Sequence, residues 1–169
     1  MPDAPWIVAW EGEMQFEVRD CPYADGKPAL WQPSAPGMGK PLFERLHIVR
    51  SRRAIWEWLC PICGEPTDPD DRFWFGLGRT DILRADGSAW PFATLNAPYH
   101  RRCAETAAEA CPHLSHRALN PMRFPRPDAV FAAHLTQVGP SMQGLDLQPG
   151  QTVISNLFLV WREKPKGAM

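Results

Sequence analysis

The sequence lacks any apolar run approaching the ~18 residues of a membrane-spanning helix, which excludes a transmembrane helix. Its opening stretch, MPDAPWIVAWEGEMQF, has neither a basic segment nor a long apolar one, so it does not read as a secretory signal and a cytoplasmic location is expected. Internal repeats and low-complexity tracts are missing. Net charge is slight, −1 over 169 residues, so the whole molecule is not a polycation built to coat nucleic acid. No Gly-x-Ser-x-Gly, P-loop or His-Glu-x-x-His motif occurs. Lysine is sparse, 4 against 14 arginines, a bias that suggests a high-GC coding sequence and says nothing of function.

What is present describes a globular chain. With 44% hydrophobic and 22% charged residues it is not a disordered tail. The length suits one domain whose core needs no disulfides. The 19 Pro and 12 Gly predict short elements joined by many turns. Eight Trp, each able to bury roughly 150–250 Å², read as core fillers or as the lining of a binding surface.

The five cysteines carry the chemistry: Cys21, Cys60, Cys63, Cys103 and Cys111. An odd count without a secretion signal argues against a disulfide framework. Cys60-Pro-Ile-Cys63-Gly64 has the features of a zinc knuckle. Two thiolates three positions apart can grip one ion when the chain turns sharply. Pro61 fixes φ in that turn, and Gly64 accepts a positive φ after it. His100-Arg-Arg-Cys103 is the second pair. An Ala-rich helix over about residues 97–110, capped by Asn96, would place His100 and Cys103 on one face near the positive helix end, which favours a thiolate.

Knuckle, intervening hairpin and a helix whose first turn supplies two ligands resemble the treble-clef zinc fold group over roughly residues 58–114. Cys60, Cys63, His100 and Cys103 would close a tetrahedral Zn²⁺ shell, with His100 a neutral imidazole held by an acceptor the sequence does not identify. Iron is the competing metal. Cys111, about two helical turns beyond Cys103, reads as a core thiol, and His113 and His116, beyond Pro112, are alternates for the site; whether Cys111 or His113 joins it is left open by the sequence. Cys21, isolated in DCPYADG, reads as a plain buried or surface thiol. The strings RSRRAIWEWLCPICG, PYHRRCA and ACPHL also resemble a group of uncharacterised actinobacterial and phage proteins that share CxxCG, HxxCA and CPxL elements. That resemblance implies a cytoplasmic zinc-binding protein and carries no assigned activity.

Along the chain, residues 5–20 read as two short strands meeting at Glu11-Gly12-Glu13, and 21–41 as a loop. Residues 42–50 are open between strand and helix. Ser51 would cap a short helix running to Leu59. Phe73–Leu77 reads as a strand, and Asp86-Gly87 as a hairpin turn. Ala129–Val138 and Thr152–Trp161 are β-like and could pair. The expected class is α+β: one domain over residues 1–163 built around the zinc unit, then a flexible tail at 164–169.

The function this favours is a non-enzymatic protein-interaction or regulatory module with structural zinc and a protein partner. An alternative is nucleic-acid binding through the basic segment 45–53, with Arg45, His47, Arg50, Arg52 and Arg53 and, near the ligands, Arg101 and Arg102. Arg50, Arg52, Arg53 and Trp56 are the leading candidate contact residues. A second alternative, an HNH-like metal-dependent nuclease, is disfavoured. No Asp-His pair occurs, and residues 64–99 contain no His.

Overall fold

The computed structural model describes residues 4–135, 142, 145, 147–148 and 150–169. The described chain is α+β. Its elements are β1 (Val8–Trp10), β2 (Glu17–Cys21), β3 (Lys27–Trp31), β4 (Pro41–Leu46), α1 (Ile48–Glu57), β5 (Arg72–Trp74), β6 (Phe92–Thr94), β7 (Tyr99–His100), α2 (Arg101–Ala110), α3 (Pro112–Ser115), β8 (Met122–Arg123), β9 (Ala129–Leu135) and β10 (Val153–Trp161). No helix among these residues is long and apolar enough to cross a membrane.

The two amino-terminal strands form as expected but pair with different partners. β1 runs antiparallel to β4, and β2 antiparallel to β3. The presumed loop at 21–41 therefore contains a strand, β3, whose Ala29 and Leu30 are fully buried. Asp25 and Gly26, both at positive φ, make the tight connection that hides it from a reading by composition.

β10 is the spine of the 5-stranded sheet. β9 lies antiparallel along one side of it, the pairing expected for the last two β segments; the expected extension of β9 over residues 136–138 lies outside the described residues. On the other side β3 takes the first part of β10 and β6 the last. A 3-stranded sheet, β7-β5-β8, forms beside α2. The two sheets meet through aromatic rings: Trp74 of β5 lies 5.8 Å from Phe92 and 5.5 Å from both Phe124 and Trp161.

The segment 42–50 resolves into the end of β4 followed by the start of α1. His47, not Ser51, caps the helix, its Nδ1 accepting from the Arg50 N–H at 3.2 Å. Its Nε2 therefore carries the proton and donates to the Pro33 carbonyl at 2.9 Å. Burial pushes the His47 pKa down, in keeping with this neutral form. The helix stops at Trp58, which adopts a left-handed conformation, φ 60. Arg72 stacks over the Trp58 ring at 4.2 Å, and Thr67 donates to the Trp58 carbonyl, so tertiary contacts hold the strained residue.

The arginines of α1 correct the sequence reading. Arg50 and Arg52 are only 6% and 0% exposed. Arg50 pairs with the fully buried Glu13, whose carboxylate also accepts from the Trp10 and Ala35 N–H groups. Arg52 donates to the carbonyls of Leu30 and Ser155. These lie one residue beyond Ala29 and Ile154, the single point where β3 and β10 pair. The guanidinium thus closes a seam where two strands part. A helix reading by charge alone cannot see those orphaned carbonyls. Arg53 stays outside, paired with Glu57 at 2.7 Å, and Trp56 is exposed.

The carboxyl-terminal residues expected to be flexible lie against the body: Met169 N–H donates to the Gly76 carbonyl at 2.8 Å and Ala168 packs on the core.

Arg52→Leu is expected to lower the unfolding free energy by about 2–4 kcal/mol, since it strands two buried carbonyls. Arg53→Ala should change it by less than about 0.5 kcal/mol. Urea unfolding of both variants checks the contrast, and equal effects would contradict it.

Candidate metal centre

Four side chains far apart in sequence converge. One ligand atom each from Cys60, Cys63, His100 and Cys103 lies within 4.8 Å of the others. These are the four ligands expected from spacing, and together they could hold a metal ion.

The knuckle half forms as its residues dictate. Gly64 N–H donates to the Cys60 carbonyl and Cys60 N–H to the Glu65 carbonyl, each at 2.8 Å, closing a tight loop that Leu59 and Pro66 bridge. Gly64 takes φ +78 there, and a Cβ would sit 2.8 Å from the Trp6 ring. The close approach has a cause. Trp6 and Ile7 donate their N–H groups to the Ile62 and Pro61 carbonyls at 2.9 and 3.0 Å, so the chain entering β1 straps the knuckle.

The helix half differs in detail from expectation. Residues 97–100 are not helical: Tyr99 and His100 form β7, and α2 begins at Arg101 with His100 as its N-cap residue. Asn96 does not cap. β5 explains the change, because it pairs Arg72 with His100 and Phe73 with Tyr99, holding both extended. His100 and Cys103 still straddle the first turn and face the knuckle.

The orientation of His100 is fixed by a group the sequence could not identify. Its Nε2 lies 2.9 Å from the Pro66 carbonyl oxygen, which can only accept. Nε2 therefore carries the proton, and Nδ1 turns its lone pair to the cluster, 3.4 Å from the Cys63 sulfur. A main-chain carbonyl leaves no residue-type signal, so only folding exposes it.

Electrostatics sharpen the point. Burial, then the Cys60 and Cys63 sulfurs, pushes the Cys103 thiol up to about 12. Burial also raises Cys63, with Cys60 adding to the effect and the Glu65 backbone N–H opposing it. A cation between them would offset the burial and repulsion that raise Cys63 and Cys103. The arrangement could hold a cation.

The alternates lie elsewhere. Cys111 ends α2, its N–H donating to the Ala107 carbonyl at 2.9 Å, and His113 follows in α3. Neither belongs to the four-residue cluster. Both line a mostly apolar cavity of about 870 Å³ between the knuckle, β4 and α2, with Ile7, Phe43 and Ile62. His116 is exposed. Cys21 is fully buried beside Arg52.

No family model, curated protein or solved structure matches the chain.

Gly64→Ala is expected to cost about 1–3 kcal/mol of stability, through the positive φ and the clash with Trp6. Thermal or urea unfolding reads this; a wild-type curve would show that the knuckle is not packed as described.

Proposed function

We propose that the chain is a zinc protein in which Cys60, Cys63, His100 and Cys103 hold one structural Zn²⁺, and that it works as a non-enzymatic protein-interaction or regulatory module. The convergence of the four donor atoms, with the imidazole already in the ligating tautomer, carries the metal reading. Three thiolates and one imidazole suit Zn²⁺ in a tetrahedral shell, and four protein ligands leave no open position for a reacting water. Knuckle, the β5–β7 pair and α2 follow one another as in a treble clef, the family of folds to which we assign residues 58–114.

The interaction role is supported by what the surface displays. Met38, Phe43 and Trp56 are all exposed, and Met and aromatic residues of this kind are enriched where proteins meet. Nucleic-acid binding through segment 45–53 loses its main residues, since Arg50 and Arg52 serve internal acceptors. A nuclease reading finds no His between the ligand pairs to serve it.

Cys63→Ser is expected to lose bound zinc and at least about 3 kcal/mol of unfolding free energy together. Elemental analysis and calorimetric melting test this, and also separate zinc from iron. Unchanged metal content and melting would refute the site.

Because burial raises Cys63 and Cys103, both enter binding as thiols and must lose their protons. Zinc addition at pH 7 should therefore release two or more protons per ion, and apparent affinity should climb with pH. Calorimetric titrations in buffers of different ionisation enthalpy count those protons. A count near zero would contradict the assignment.

A further inference from the structure

The outer edges of the large sheet are protected very differently. β2, at one end, reads Glu17-Val-Arg-Asp-Cys21 and is studded with exposed charge, including the Arg19–Glu17 pair at 2.5 Å. Charge of this kind is how a sheet edge refuses further strands. The outer side of β6 is bridged by Arg79, which exchanges both backbone hydrogen bonds with Ala93. β9, at the remaining edge, reads Ala129-Val-Phe-Ala-Ala-His-Leu135, with no acid, no Lys or Arg, no Pro and no Gly. Among the described residues it pairs with β10 alone. On the side away from β10, alternate residues of this strand, about 24 Å long, turn outward N–H and C=O groups that no strand among the described residues pairs. Val130 is 43% exposed, and Ala129 and His134 are exposed too.

We infer that β9 is an interface for a second copy of this chain, joined edge to edge as an antiparallel β9–β9 pair about a two-fold axis at Ala132. The strand is self-complementary in that arrangement. Phe131 falls opposite Ala133 of the second copy, Ala129 opposite Leu135, and Val130 opposite His134, so larger side chains meet smaller ones. Nothing in β9 offers a charge by which to select a foreign strand, whereas a two-fold pairing needs no other recognition. The pair adds about 6–8 backbone hydrogen bonds, comparable with the roughly 10 of an ordinary interface, and desolvates no charged side chain. Phe131 and Ala133 pack on the layer formed by Ala93, Phe158 and Val160, and that apolar layer continues across the seam. The inference is independent of the metal centre, none of whose residues lies on β9.

Sedimentation velocity on the metal-loaded full chain, from about 5 to 200 µM, tests it. The wild type should dimerise with a micromolar constant. V130K/H134K sets ammonium groups opposite one another at both Val130–His134 positions and should weaken association at least tenfold. V130K/H134E sets an ammonium opposite a carboxylate at each position and should recover most of the loss. His134→Lys alone, at an exposed position, should weaken association partially with an unchanged melting curve. A wild type monomeric throughout the range overturns the proposal, even if the chain captures a foreign strand. So does a folded double-lysine variant that dimerises normally, or failure of the charge swap to recover association.

Discussion

Three sulfurs and one imidazole meeting at a point are a liability until something positive joins them, and much of the surrounding structure exists to hold them there. The chain entering β1 gives two backbone hydrogen bonds to the knuckle. The Pro66 carbonyl sets the tautomer of His100. β5 holds His100 extended before α2 begins. None of these contacts touches a ligand atom in the cluster except through the residue it positions. Separate main-chain contacts thus position the side chains of the cluster, which could hold a metal ion.

A second set of polar contacts, around α1, solves a different problem. β10 bulges between Ile154 and Leu157, and there it departs from both neighbours. Arg52 supplies donors to the carbonyls left on one side, while the Ser155 hydroxyl reaches the Ala133 carbonyl on the other at 3.1 Å. Glu13, Arg50 and His47 similarly tie the turn after β1 to the start of α1. Burying charge is costly, and each of these groups is tolerated because its partners are mostly main-chain groups with no other recourse. Burial lowers the Arg50 and Arg52 pKa values, opposed by Glu13 and by Cys21 respectively.

The convergence of Cys60, Cys63, His100 and Cys103 was legible because metal chemistry constrains residue type and spacing together, and these four satisfy both. The α+β class followed from visible turn signals and from the β-rich ends. What escaped was decided by long-range pairing. β3 hides in a segment rich in Gly and Pro, because its hydrogen bonds come from β2 and β10 rather than from local propensity. The first turn of the expected helix at 97–100 was overridden by β5. Arg50 and Arg52 read as surface charge because nothing in their own helix reveals the acceptors on β3, β10 and Glu13. The outward reading was sound for Arg53, whose partner Glu57 lies four residues away on the same helix.

The register of β5 links the four-residue cluster to the rest of the molecule. Arg72 sits opposite His100, so the placement of that imidazole fixes Phe73 opposite Tyr99 and turns Trp74 to the other face. Trp74 is the ring that Phe92 of β6, Phe124 and Trp161 of β10 all meet. Sliding β5 by one residue to suit a disordered cluster would swing that indole out of the core and expose a ring of roughly 200 Å². Strand alternation therefore relates the geometry at the four donor atoms to the aromatic cluster around Trp74. The four-residue cluster and the aromatic layer thus share the register of one short strand.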